Sequence, residues 1–104
     1  MSADRLETLK QFLESRPEDC FVRYGLAQEY VKAESYEAAI EQFDKILEID
    51  ADYQAAYYHA GKTYERMGRL DDARAMWERG VEASYRTGDA HARSELEAAL
   101  AAIG

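Results

Sequence analysis

The sequence predicts an all-α fold, a short α-solenoid of antiparallel helix pairs with about six helices. Three observations predict it. Shifted by 34 residues, the chain matches itself: Tyr24 falls on Tyr58, Ala27 on Gly61, Tyr30 on Tyr64, Ala39 on Ala73 and Phe43 on Trp77. Within each copy the apolar residues recur at helical spacing, as Tyr57, Ala60, Gly61 and Tyr64 do at i, i+3, i+4 and i+7. The chain of 104 residues holds one proline, with 47% apolar and 33% charged residues. That balance suits one folded, loop-poor domain.

The segments follow in order. Residues 4–15 form the first helix: Leu6, Leu9 and Leu13 give it an apolar stripe, and Asp4 with Glu7 reads as a helix-start pair. Residues 19–33 carry Leu26, Ala27 and Tyr30; residues 36–49 carry Ala39-Ile40, Phe43 and Ile46-Leu47. The second copy repeats both, with Tyr57 to Tyr64 over 53–67 and Ala73, Met76, Trp77 and Gly80-Val81 over 70–85, separated at Gly68. Small residues at Ala27/Gly61 and Ala39/Ala73 let the helices of a pair approach closely. After Gly88, residues 89–103 turn Leu96, Ala99-Leu100 and Ile103 to one face and cover the last repeat.

These residues resemble the tetratricopeptide repeat family. Its pattern W-x2-L-G-x2-Y…A-x3-F is matched by Arg23-x2-Leu26-Ala27-x2-Tyr30…Ala39-x3-Phe43, and again by Tyr57-x2-Ala60-Gly61-x2-Tyr64…Ala73-x3-Trp77. The family's late proline is absent from both copies, where Ala51 and Tyr85 stand; Pro17 holds that position one period earlier. The resemblance implies a right-handed solenoid in one domain over 1–104. Its parts are a leading half-repeat (4–19), repeat one (20–53), repeat two (54–87) and a covering helix (88–104).

The family implies a non-enzymatic protein–protein interaction module, or scaffold, in which the first helix of each pair lines a concave groove. The outward residues there are Phe21, Tyr24, Gly25, Gln28, Val31 and Lys32 in the first copy. In the second they are Ala55, Tyr58, His59, Lys62, Glu65 and Arg66, and the last helix adds Asp89, Ala92, Arg93 and Leu96. Lys32, Lys62, Arg66 and Arg93 outnumber Glu65 and Asp89, so the groove is weakly basic on an acidic protein. Tyrosines supply stiff contact area and the cations charged hydrogen bonds, which suits an acidic or C-terminal peptide. The site expected for peptide binding is therefore Phe21, Tyr24, Gln28, Lys32, Tyr58, His59, Lys62, Arg66 and Arg93. The competing reading makes these ordinary surface residues of a structural module.

Some members grip a terminal carboxylate with lysine, asparagine and arginine. Matched residue by residue, those positions hold Tyr24, Gln28, His59, Asp89 and Arg93; both lysines are lost, so chaperone tails are not the expected ligand. The alternative function is self-assembly of the terminal helices, through the apolar tail AALAAIG, and the expected state is a monomer or weak homo-oligomer.

Chemistry is not expected. The stretch Ala56 to Thr63, AYYHAGKT, approaches the phosphate-loop pattern G-x-x-x-x-G-K-[ST]. Ala56 stands at its first glycine, and the segment is helical, so its N–H groups are spent within the helix. His59 and His91 lack the spacing of a metal pair, and Cys20 has no histidine at catalytic spacing. No catalytic residue, cofactor or metal is expected. A net charge of −8 argues against nucleic acid, and a charged N-terminal stretch argues against a signal peptide or membrane span. With Cys20 the only cysteine, a cytoplasmic protein is expected.

Overall fold

The computed structural model describes residues 2–104, with side chains from Asp4 onward. It consists of α1 (Ser2–Ser15), α2 (Cys20–Lys32), α3 (Tyr36–Ile49), α4 (Gln54–Arg66), α5 (Leu70–Thr87) and α6 (Ala90–Ala102). No strand occurs among the described residues. Two compact units divide the chain, Met1–Asp50 and Ala51–Gly104.

In the first unit α2 packs on α1 and on α3. Its core is Leu26, Ala27, Ala39, Ile40, Phe43, Ile46 and Leu47, the residues of the two apolar stripes. Asp19 caps α2, its side chain accepting from the Val22 N–H at 3.1 Å. The helix ends in a Schellman turn: the Ser35 N–H donates to Tyr30 O at 2.9 Å and the Glu34 N–H to Val31 O at 3.0 Å. That turn holds Glu34 at φ +59°, a left-handed conformation unfavourable for a side chain. The helix start expected at Asp4 lies further back: Asp4 sits in the first turn of α1.

In the second unit α4 packs on α5, α5 on α6, and α6 also reaches α4. Ala56, Tyr57, Ala60, Ala73, Met76, Trp77, Ala83 and Leu96 are buried. α4 ends in the same turn as α2, with Arg69 N–H to Tyr64 O at 2.9 Å and Gly68 N–H to Glu65 O at 3.0 Å. Here the left-handed position is a glycine, Gly68 at φ +77°. α5 runs past the expected end at residue 85 until Gly88, again left-handed at φ +75°.

The repeats also share a bond that residue class conceals. Tyr57 donates its hydroxyl to Ala51 O at 2.7 Å. At the equivalent position of the first unit Arg23 donates to Pro17 O at 2.6 Å. Ala51 and Pro17 are themselves equivalent, so a guanidinium does there what a phenol does in the second copy. Arg23 adds a bond to Gln42 on α3 at 2.9 Å.

Candidate functional site

In the first unit α2 presents Phe21, Tyr24, Gln28 and Lys32 along one side, four of the expected site residues. Phe21 is 77% exposed. Tyr24 is half-buried; its ring meets Phe43 edge-on at 6.3 Å, and the Gln28 amide donates to its hydroxyl at 3.0 Å. Burial pushes the Tyr24 phenol up, with the Gln28 bond a smaller opposing effect. Lys32 is turned to Glu29, at 3.4 Å.

Glu29 itself was absent from the expected site. It is only 4% exposed and also pairs with Arg5 of α1 at 3.0 Å. These residues border a groove of roughly 570 Å³ between α1 and α2, which Leu9, Phe12 and Arg16 line from the α1 side. One signal pointed to Glu29: the 34-residue shift puts it on Thr63, a core register in which a carboxylate is out of place.

In the second unit Tyr58, His59 and Lys62 come together on α4. The rings of Tyr58 and His59 meet at 5.2 Å and 88°. The Lys62 ammonium lies 5.9 Å from the Tyr58 ring centre and 6.0 Å from that of Trp77, and pairs with Glu65 at 3.4 Å. Arg66 is exposed one turn on. A cavity of roughly 440 Å³ opens between α4 and α6, lined by Tyr58, His59, Asp89, His91, Glu95 and Leu96 among others. Burial lowers the His59 pKa below its ordinary value; Glu95 works against this and Lys62 with it.

Arg93 is drawn away from this cluster. Its guanidinium donates to the Ser84 hydroxyl and to Ser84 O, both at 3.2 Å, and stacks 3.9 Å over the Tyr85 ring. Asp89 is occupied as the N-cap of α6, accepting from the Ala92 N–H at 3.0 Å. Ala92, expected on the outward side of α6, is buried instead, and Leu96, which the sequence put on the covering face and also offered as outward, takes the covering face. With Ala99 they form an i, i+4, i+7 face, and Leu96 reaches the bare backbone of Gly80 on α5.

The stretch from Ala56 to Thr63 lies wholly inside α4, with Gly61 pressed against the Trp77 indole and Lys62 held by Glu65. Its backbone N–H groups do not form a phosphate cradle. Cys20, the first residue of α2, has its pKa raised, chiefly by burial and next by Asp50. Among the described residues, no three His, Cys, Asp or Glu are grouped to hold a metal ion. No helix among them is long and apolar enough to cross a membrane.

Comparison with known proteins agrees with this arrangement. The tetratricopeptide repeat family model matches residues 30–103. A TPR repeat-containing protein of Pseudomonas aeruginosa is 31% identical over 91 residues, 88% of this chain and 87% of its own length. Among solved structures, a tetratricopeptide repeat domain protein from Salinibacter ruber is 41% identical, over 79% of this chain and 91% of that one, with a TM-score of 0.71. A protein from Bordetella parapertussis is 28% identical, over 94% and 85%, with a TM-score of 0.81. The all-α class of antiparallel helix pairs and the motif positions of both copies therefore have one explanation: the chain belongs to the tetratricopeptide repeat family.

Proposed function

We propose that the chain is a non-catalytic interaction module that binds peptide segments of partner proteins, with one contact face on α2 and another on α4. The observation that carries this reading is the pair Tyr24 and Tyr58. They stand at the same repeat position in the two units and neither enters a core. Half-buried tyrosines give contact area at low entropic cost and keep a hydroxyl for hydrogen bonds. Gln28 and His59 flank them, and Phe21 extends the apolar surface of α2. Lys32, Lys62 and Arg66 supply positive charge for an acidic or C-terminal segment. Arg93 would contribute only after leaving Ser84 and Tyr85. Cys20 stays a thiol in a reducing compartment such as the cytoplasm.

Pull-down from cell lysate with the wild-type chain and a Tyr58→Ala/Lys62→Ala variant tests the α4 face. Loss of captured partners is expected; equal capture by the double variant overturns the assignment. A second reading, association of copies through terminal helices, draws on Phe12 of α1, which is 50% exposed. Light scattering across a concentration series separates the two, because association raises the mass with concentration.

A further inference from the structure

In the second unit α4 lies against the pair α5 and α6. Trp77 of α5 meets Gly61 of α4, and Gly80 meets Tyr57. Ala73, Trp77, Gly80 and Ser84 of α5 are buried, as are Ala92 and Leu96 of α6.

The first unit contains an equivalent pair. Moved back two repeat lengths, Leu70–Ala83 falls on Ser2–Ser15, the whole of α1, and most of α6 falls on α2. Arg5, Leu9, Phe12 and Arg16 then take the places of Ala73, Trp77, Gly80 and Ser84. Tyr24 and Gln28 take those of Ala92 and Leu96. Among the described residues of this unit, no helix takes the place of α4. All six replacements line the open groove instead.

Gly25 adds an independent observation. A Cβ at Gly80 would lie 2.8 Å from Tyr57 Cβ and 2.9 Å from Leu96 Cδ1, so packing within the unit requires that glycine. The nearest atoms to a Cβ at Gly25 would be the Leu9 methyls at 3.6 and 3.7 Å and Arg5 at 3.9 Å, ordinary contact distances. A glycine in mid-helix destabilises it, and nothing in the first unit demands this one. Its effect is to keep the groove floor open. The charges there favour one kind of occupant: Arg5, Arg16 and Lys32 stand against Glu29 alone, on a chain of net charge −8.

We infer that the groove between α1 and α2 seats an acidic amphipathic helix of a partner protein, in the position that α4 occupies over α5 and α6. The inference rests on the interaction-module reading and names the partner's chemistry. Apolar side chains of the incoming helix at i, i+3 or i+4 and i+7 meet Leu9, Phe12 and Phe21. Carboxylates beside that stripe meet Arg5, Arg16 and Lys32. A second copy's α4 is the poorer fit, since it carries Lys62 and Arg66 against Glu65 alone.

The test pans the full chain against a displayed library of short amphipathic helices with randomised polar faces. Recovered helices are expected to be acidic beside the apolar stripe. They should lose about tenfold or more in affinity against Gly25→Leu, which fills the floor, and against Phe12→Ser. Gly25→Ala should bind nearly as the wild type, and Glu78→Gln, on the exposed side of α5, should bind unchanged. Thermal melts of all variants establish that they fold. Neutral or basic selected helices, no selected helices, or affinities indifferent to Gly25→Leu would overturn the inference. Helices displaced only by Tyr58→Ala/Lys62→Ala would overturn it while leaving the α4 face in place. A dimer that Gly25→Leu abolishes would also overturn it, by making a second copy the occupant.

Discussion

The Trp77 indole rests directly on the α-carbon of Gly61: a Cβ added there would collide with the ring, and the indole N–H donates to Tyr58 O at 3.0 Å. At the equivalent positions the first repeat carries Ala27 and Phe43, both fully buried. A larger ring has therefore been matched by a smaller helix residue. Gly61→Ala should destabilise the chain by roughly 1–3 kcal/mol through overpacking, despite the better helix propensity of alanine. Trp77→Phe should cost about 1–2 kcal/mol for the lost volume and hydrogen bond. The double variant recreates the Ala27/Phe43 pair, so its loss should fall short of the sum by about 1 kcal/mol or more. Guanidinium unfolding followed by circular dichroism measures all three, and strict additivity would refute the coupling.

Glu34 and Gly68 occupy equivalent turns with the same pair of hydrogen bonds, yet only one of them is a glycine. Left-handed backbone costs a side-chain-bearing residue roughly 1 kcal/mol. Glu34→Gly should therefore stabilise the chain by about 0.5–1 kcal/mol, the reverse of the usual penalty for adding glycine. A raised melting temperature checks this. Gly68→Ala is the matched control and should destabilise by a similar amount.

Helix pairs were legible because two independent regularities, the 34-residue period and the 3.6-residue stripe, had to agree. Trp77 could be assigned to the core from its match to Phe43 before any contact was seen. The site was less legible, because register fixes which side of a helix a residue occupies but not which neighbour its side chain chooses. Arg93 has the register of a ligand contact and turns to Ser84 and Tyr85 instead. Ala92 shows the same limit from the other side: it has an outward register and is buried beside Leu96, which packs where Gly80 leaves room. Glu29 was hidden by its charge: a carboxylate reads as a solvated residue until Arg5 and Lys32 are brought to it. Arg23 was misleading by class, since it stands at an aromatic position and makes the same carbonyl bond as Tyr57.

The Cys20 thiol should be unreactive. Helix N-termini lower thiol pKa values, but here burial, and next Asp50, push the Cys20 thiol up from its ordinary value. The thiol also points to Ile46 O, at 4.0 Å. Alkylation by iodoacetamide near neutral pH should be slower than that of an unstructured cysteine peptide, and should accelerate on unfolding. A rate equal to or above the peptide's would show an activated thiolate.

His59 links the cavity between α4 and α6 to pH. Its folded-state pKa is lowered from 6.5, chiefly by burial. The unfolded chain therefore takes up a proton here before the folded chain does, and proton uptake by the unfolded state favours unfolding. This contribution to stability is complete above pH 6.5 and declines as the pH falls from there through the folded-state value. The other groups facing His59 are Lys62 on its own helix and Asp89, His91 and Glu95 from the α6 side. Glu95 opposes the shift, so removing its charge should enlarge the effect. His59→Gln should flatten the acid limb of the stability profile relative to wild type, and Glu95→Gln should steepen it. Urea midpoints taken on both sides of pH 6.5 measure the difference; parallel profiles for wild type and His59→Gln would show that the imidazole titrates as freely folded as unfolded.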